Sequence, residues 1–448
     1  MIEQLLQRDF VLRHLDDVSA LLDREIELLQ SANPEALKRA QKTGVTVDDL
    51  RRAKSAVAEA QVDPKAREIR EGQQVFLPPD ATVSSLQTAL QRQIIESDAT
   101  PVAAPLALVP GKAPITDVRM ESDSETENVF EQFGPVGLGW LSVGFASLVK
   151  LFRNARPFTP NPAPPCRVAN TVRLVLLSDW GTGLPRARKV GLAARTCLEE
   201  AAAKGIETHA IHLGDVYYSG WAAEYDAHFL PFWPVLPEEA SRHGSWCLNG
   251  NHDMYSGGHG YFDHLLKDPR FARQAQSSYF SLENDFWQIL ALDTAHEDFD
   301  LAGNQADWVL QSRNASPSKG GVLLSHHQPF SGYEDEPGKI RKRLRRVLER
   351  DLVFAWFWGH EHKCAWYAPR DGVRHGRCIG HGGVPVLAPK DLAPATVTYE
   401  FGDWVVGTEP RLARFGFAVV DCVDERMHVK YVNEDGTPHN FEDLVLPK

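Results

Sequence analysis

From Ile2 to Leu29 the apolar residues recur at three- and four-residue steps: Ile2, Leu5, Leu6, Phe10, Leu15, Val18, Leu22, Ile26 and Leu29. That is the period of one helix face, so the stretch predicts a helix. Asn33-Pro34 reads as an N-cap followed by proline at the first helical position. Thr46-Val47-Asp48-Asp49 reads as another start, because acids are favoured near the positive end of a helix. A further helix is expected after Thr82. Residues 1–97 are thus expected to form a mainly helical N-terminal region. They carry no cluster of His, Cys and carboxylate, so a packing module is expected, one that binds a protein partner or oligomerises.

The helical period stops at residue 98. DATPVAAPLALVPGKAP (98–114) is rich in proline and alanine, and ESDSETE (121–127) is acidic and polar. Such composition buries little and reads as linker over 98–170. Within it, VGLGWLSVGFASLV (136–149) is the most apolar window. A spanning helix needs about 20 residues, so 136–152 predicts a buried helix, with an interfacial anchor and weak peripheral membrane association as the alternative. PFTPNPAPP (157–165) closes this part of the chain.

From residue 171 to 448 the pattern is strand, loop, helix. Short apolar runs end on polar residues in VRLVLLSDWG (172–181), ETHAIHLGD (207–215), SWCLNGNHD (245–253), FWQILALDT (286–294), GGVLLSHHQPF (320–330) and DLVFAWFWGHEH (351–362). The gaps leave room for helices such as ARKVGLAARTCLEEAAAKG (187–205). KIRKRLRRVLER (339–350) predicts a basic amphipathic helix on the outside of a sheet, with Ile340, Leu344, Val347 and Leu348 as its apolar face. Function in α/β sheets gathers at the C-terminal ends of strands.

Composition narrows the chemistry. The 448 residues are 43% hydrophobic and 24% charged, as in a globular protein of two or three domains. A formal net charge of −12 argues against general nucleic-acid binding. The six cysteines contain no CxxC pair, which speaks against a zinc ribbon or a disulfide framework. The opening MIEQLLQRDFVLRHLDD meets acids at once and has no apolar core of a secretory signal, so a cytoplasmic location is expected.

The strand ends deliver Asp179, Asp215, Asn251 with His252, His326 with His327, and His360 with His362. Carboxylate, imidazole and amide suit Fe, Zn, Mn or Mg. These ligand-type residues exceed the usual four protein ligands of one site. They suit two ions sharing a bridging carboxylate, roughly 3.5–4 Å apart, an arrangement fitted to phosphoester hydrolysis.

Ser-Asp179-Trp-Gly181, Gly214-Asp215-Val-Tyr-Tyr218, Gly250-Asn251-His252-Asp253, His326 and Gly359-His360-Glu-His362 together resemble the five-motif signature of calcineurin-like metallophosphoesterases. Most of that superfamily has a histidine where this chain has Gly181. The purple acid phosphatase branch has the glycine, with a tyrosine three residues after the second Asp, where Tyr218 stands. LDT (292–294) and Gly380-His381-Gly382-Gly383 resemble that branch too.

The resemblance implies a four-layer α/β/β/α sandwich and hydrolysis of phosphate esters, phosphomonoesters foremost, by attack of a metal-bound hydroxide. A phosphodiesterase or nuclease on the same site, or a non-catalytic scaffold keeping the fold, are the alternatives. The first ion would take Asp179, Asp215, Tyr218 and His362. The second would take Asp215, Asn251, His326 and His360. A phenolate is a hard anion, and a highly charged ion is what deprotonates a group of pKa about 10, so Fe(III) with a divalent Fe, Zn or Mn is expected. His252 is expected to donate a hydrogen bond to the phosphate and to protonate the leaving oxygen. His327 and His296 are candidate substrate contacts.

Overall fold

A computed structural model of the chain describes residues 15–62, 81–97, 142, 144–146, 149, 150, 154–334, 338–389, 393–408 and 411–447. The described residues up to Ala155, with Tyr255–Gly257, fall in one compact unit. Its helices are α1 (Leu15–Gln30), α2 (Pro34–Thr43), α3 (Val47–Val62) and α4 (Ala81–Ser97). The expected apolar face is buried at Leu15, Val18 and Leu22, together with Leu50, Ala53, Val57 and Ala60 of α3. Ile2, Leu5, Leu6 and Phe10 lie outside the described residues.

The helix starts follow the sequence signals. Asn33 Oδ1 accepts from the amides of Glu35 and Ala36 at 3.1 and 3.2 Å. Gly44, at φ 67°, ends α2 in the left-handed conformation that glycine adopts without strain. Thr46 and Asp49 form a reciprocal cap: the Thr46 amide donates to Asp49 Oδ2 at 2.8 Å and the Asp49 amide to Thr46 Oγ1 at 3.2 Å. Glu25 and Arg39 make a buried bidentate pair at 3.0 and 2.7 Å. The linker segments 98–114 and 121–127 lie outside the described residues. Residues 142, 144–146, 149 and 150 are helical, with Phe145, Ala146 and Val149 buried. Among the described residues no helix is long and apolar enough to cross a membrane.

The other compact unit takes in Arg156–Met254 and Gly258–Lys448. Its six-stranded sheet has the order β14-β13-β12-β2-β3-β4. Here β2 (Thr171–Leu177), β3 (Glu207–His212) and β4 (His243–Cys247) run parallel. The strands β12 (Gly416–Val423), β13 (Arg426–Asn433) and β14 (Pro438–Val445) are antiparallel additions. The eight-stranded sheet has the order β1-β5-β6-β7-β8-β10-β9-β11. It is built from β1 (Cys166–Arg167), β5 (Phe280–Glu283), β6 (Trp287–Leu292), β7 (Gly320–Ser325), β8 (Val353–Trp358), β9 (Cys364–Tyr367), β10 (Val373–Ile379) and β11 (Val397–Glu400).

Alternation along the strands sorts their side chains between two cores. Leu174, Leu176, Ile211 and Trp246 of one sheet pack against Ile289, Ala291, Val322, Leu324 and Phe357 of the other. On the outer face of the large sheet, Leu290, Leu292, Leu323, Trp356 and Trp358 pack under Val309 and Leu310 of a helix at Gln305–Ala315. Over the small sheet lies α5 (Pro185–Ala202), which buries Val190, Ala194 and Leu198. The result is the expected α/β/β/α sandwich. Fully burying a large apolar side chain contributes about 1.5–3 kcal/mol, so two such cores hold the strand ends rigidly.

The basic stretch 339–350 is two short helical segments, Lys339–Arg343 and Arg345–Leu348, rather than one helix. Its expected apolar face is buried, and its basic face meets acids: Arg341 with Asp371 and Arg343 with Asp300, each at 2.9 Å.

Candidate metal centre

The parallel strands bring their polar ends to one edge of the sandwich. Asp179 follows β2, Asp215 follows β3, Asn251 follows β4, His326 follows β7, and His360 and His362 follow β8. Asp179, Asp215, His360 and His362 have φ of 53°, 74°, 65° and 50°. Left-handed backbone at non-glycine residues is costly and persists where surrounding structure fixes it, commonly at functional sites.

One set of donor atoms gathers around the Tyr217 hydroxyl. It lies 3.1 Å from Asp179 Oδ1, 3.2 Å from Asp215 Oδ2 and 3.1 Å from His362 Nε2. A second set gathers around Asn251 Oδ1, which lies 3.0 Å from both His326 Nε2 and His360 Nδ1. His326 Nε2 is also 3.3 Å from Asp215 Oδ2. Asp215 Oδ2 therefore belongs to both sets.

Neighbours turn each donor inward. Asp179 Oδ2 accepts from Ser178 Oγ at 2.7 Å and from the His360 amide at 2.9 Å, which leaves Oδ1 to the cluster. Asp215 Oδ1 accepts from the His252 amide at 2.9 Å. His326 Nδ1 donates to the Leu213 carbonyl at 3.0 Å, which turns Nε2 towards the cluster. Asp253 joins the loops: its carboxylate accepts from the amides of Asp215 at 2.8 Å, Gly250 at 2.7 Å and Val216 at 3.2 Å, and from the Tyr225 hydroxyl. Two glycines are needed for close approach. A Cβ on Gly250 would lie 2.0 Å from Asp215 Oδ1, and one on Gly181 would lie 2.9 Å from the Val216 Cα. No histidine fits at 181 while that backbone contact holds.

Charge balance follows from the same geometry. Burial opposes ionisation of Asp215 and Asp179, yet the imidazoles around them hold both below the usual carboxylate value. Burial likewise opposes charge on His326, but Asp215, Asp179 and Asp253 outweigh it and raise its pKa to about 9. Burial, with Asp215 adding its charge, lifts Asp253 to about 7. Burial and the charges of Asp215 and Asp179 push the Tyr217 phenol well above its ordinary value.

Most of the expected residues are brought together: Asp179, Asp215, Asn251, His326, His360 and His362. Tyr218 is not. The hydroxyl that enters is that of its neighbour Tyr217. Tyr218 is turned by its backbone: its amide donates to Glu224 Oε1 at 2.6 Å and its carbonyl meets His252 Nδ1 at 2.6 Å. Its phenol is pushed up by burial and Glu224, with no contribution from Asp179 or Asp215. A motif count cannot choose between adjacent tyrosines when the preceding Asp215 is left-handed. The local signal was the Tyr-Tyr pair itself.

His252 lies beside the cluster, its ring 4.6 Å from that of Tyr217. His327 is buried next to His360, with ring centroids 4.7 Å apart, and Phe299 covers it at 4.0 Å. Phe299 carried no sequence signal. His296 sits elsewhere. Its Nε2 meets the Arg156 carbonyl at 2.8 Å and its ring packs edge-on against Phe158, so it fastens the proline-rich segment.

The donors fit a pair of cations. His360 Nδ1 and His326 Nε2 face each other at 3.3 Å, and carboxylate, phenol and amide oxygens lie within about 3.0–3.3 Å of these groups and of one another. Two such nitrogens beside one amide oxygen are satisfied together by a cation at their centre. Hard oxygens with imidazole match Fe, Zn, Mn or Mg.

Two facing mixed sheets with this cluster at their strand ends make a metallophosphoesterase-like fold. Residues 172–364, which contain every donor named above, match the family model described as calcineurin-like phosphoesterase. That stretch of the chain is thus similar to the calcineurin-like phosphoesterase family. No curated protein matches it. Similar solved structures include GAP50, the anchor in the inner membrane complex of Plasmodium, 12% identical with a TM-score of 0.46 over 62% of this chain and 90% of that one. A predicted phosphoesterase of Streptococcus pneumoniae is 11% identical with a TM-score of 0.27, over 62% of this chain and 98% of that one. Vacuolar protein sorting 29 of Cryptosporidium parvum is 13% identical with a TM-score of 0.30, over 62% and 99%.

Proposed function

We propose that the domain hydrolyses phosphate esters, phosphomonoesters foremost, at a dinuclear centre. The observation that carries this reading is Asp215 Oδ2, which faces both donor sets at 3.2 and 3.3 Å. Asp179, Asp215, Tyr217 and His362 would hold the first ion, and Asp215, Asn251, His326 and His360 the second. The chemistry supplied by two such ions is Lewis-acid polarisation of the phosphoryl oxygens and activation of a water. The buried phenol of Tyr217 ionises only against a strong positive charge, which supports Fe(III) at the first position and a divalent Fe, Zn or Mn at the second.

The chain's own residues do the rest. Asn251 gives a neutral oxygen, so the second position keeps more positive charge than a carboxylate would leave. His252 is oriented through Nδ1 on the Tyr218 carbonyl. In its protonated form Nε2 donates to the phosphate and passes a proton to the leaving alcohol, a role worth about 10²–10⁴ in rate. His327 and Phe299 form the wall beside His360. Among the described residues, the helical N-terminal unit adds no ligand-type cluster.

The test is hydrolysis of p-nitrophenyl phosphate and bis(p-nitrophenyl) phosphate by the metal-loaded full chain and by Asn251→Ala. Monoester turnover that collapses in the variant is expected. Preference for the diester would move the assignment to a phosphodiesterase, and turnover of neither would move it to a binding protein.

A further inference from the structure

Cys364, His381 and His439 meet outside the cluster just described. Cys364 opens β9 of the large sheet and is paired with Ile379 at the end of β10. His381 lies two residues beyond that strand. His439 belongs to β14 of the small sheet. The thiol sulfur and one nitrogen of each ring lie within 4.8 Å of one another.

The surroundings show a built site. Along β14, Asn440 pairs with Tyr431 and Pro438 with Val432, so His439 is the extra residue of a bulge. A bulge re-aims the side chain it carries. The Tyr399 hydroxyl lies 3.0 Å from His439 Nδ1, and Phe401 stacks on the ring at 3.8 Å. One nitrogen is thus tied and the ring is held, which is how a ligating histidine is usually oriented. Nε2 of His439 and Nε2 of His381 are buried with no hydrogen-bond partner among the described residues. Buried polar atoms are nearly always partnered, so two orphans beside a buried thiol call for a missing partner. Cys364 is 1% exposed and His381 5%.

We propose that Cys364, His381 and His439 hold one divalent ion of the zinc class that ties the two sheets together. Sulfur with two imidazoles selects zinc over magnesium or manganese, which prefer oxygen. Three protein ligands leave a fourth, tetrahedral position to water. On binding, the Cys364 thiol gives its proton to solvent, a sulfur–metal bond forms, and each imidazole binds through a lone pair. The ion also anchors the loop behind the first donor set, because a Cβ on Gly380 would lie 2.9 Å from Asp179 Oδ2 and one on Gly382 would lie 2.1 Å from the Ser178 carbonyl oxygen.

The test uses the full chain, stripped with a chelator and titrated with Co(II) alone. The carboxylate cluster contains no cysteine, so a sulfur-to-cobalt charge-transfer band reports this site and not that one. The band is expected in the wild type, is expected to be displaced by Zn(II), and is expected to vanish in Cys364→Ser and in His439→Gln. His439→Gln keeps the thiol and alters a half-buried position, which guards against a variant that fails to fold. Cobalt binding by the wild type without the band, or a band that survives in both variants, overturns the proposal.

Discussion

Tyr217 and Tyr218 are both buried phenols whose ionisation is opposed by burial and by carboxylates, but the carboxylates differ. Tyr217 faces two carboxylates that oppose its ionisation, so only a strong cation turns it into a phenolate. Burial and the charge of Glu224 oppose ionisation of Tyr218. Iron-containing protein should therefore show a visible tyrosinate charge-transfer band that disappears in Tyr217→Phe and persists in Tyr218→Phe; the reverse pattern would return the phenolate to Tyr218. At this scale the sequence was legible wherever a donor ends a strand, as with Asp179, Asn251 and His326. It was not legible where a turn decides which neighbour points inward. Asp253, the last residue of the GNHD motif, holds the loop by accepting from three backbone amides.

Elements were legible where a local signal sets them. Thr46 and Asp49 begin α3 as a capping pair, and that pair carries a pH dependence. Burial opposes charge on Asp49, but bonds from Thr46, Arg52 and Lys150 outweigh it and hold its pKa well below the usual 3.8. A depressed folded pKa gives stability that is present above the unfolded value and is lost as pH falls through and below it. Asp49→Asn should cost roughly 1 kcal/mol at neutral pH and flatten the acid-side loss. Urea unfolding followed by helical signal, from neutral pH down to about 3, measures both; an unchanged acid slope in the variant would remove Asp49 from the account. The basic segment 339–350 shows where local reading stops. Its apolar period was correct, but Leu344 at φ −89° and ψ 9° breaks the helix so that both halves follow the sheet beneath.

At the scale of the whole molecule, the strands could be read but their order could not. Periodicity marks a strand without naming its partner, and β2 lies against β12 through Arg173 and Asp421, 248 residues apart. The same distance in sequence separates Arg186 from Glu434. Arg377 of β10 and Glu442 of β14 join the two sheets by a buried bidentate pair at 2.7 Å for each bond, with Tyr431 donating to the same carboxylate. Removing one partner leaves a buried charge alone, so Glu442→Ala should lower unfolding stability by about 3–5 kcal/mol. A loss under about 1 kcal/mol would mean solvent reaches Arg377 and the joint is not dry. The sandwich exists, on this account, to hold one carboxylate between two donor sets. The most direct test is the metal content and p-nitrophenyl phosphate turnover of the full chain beside Asp215→Asn. The variant should bind two fewer ions per chain than the wild type and lose turnover, because both positions share Asp215. Full ion content with full turnover in Asp215→Asn would contradict the bridge and the dinuclear mechanism built on it.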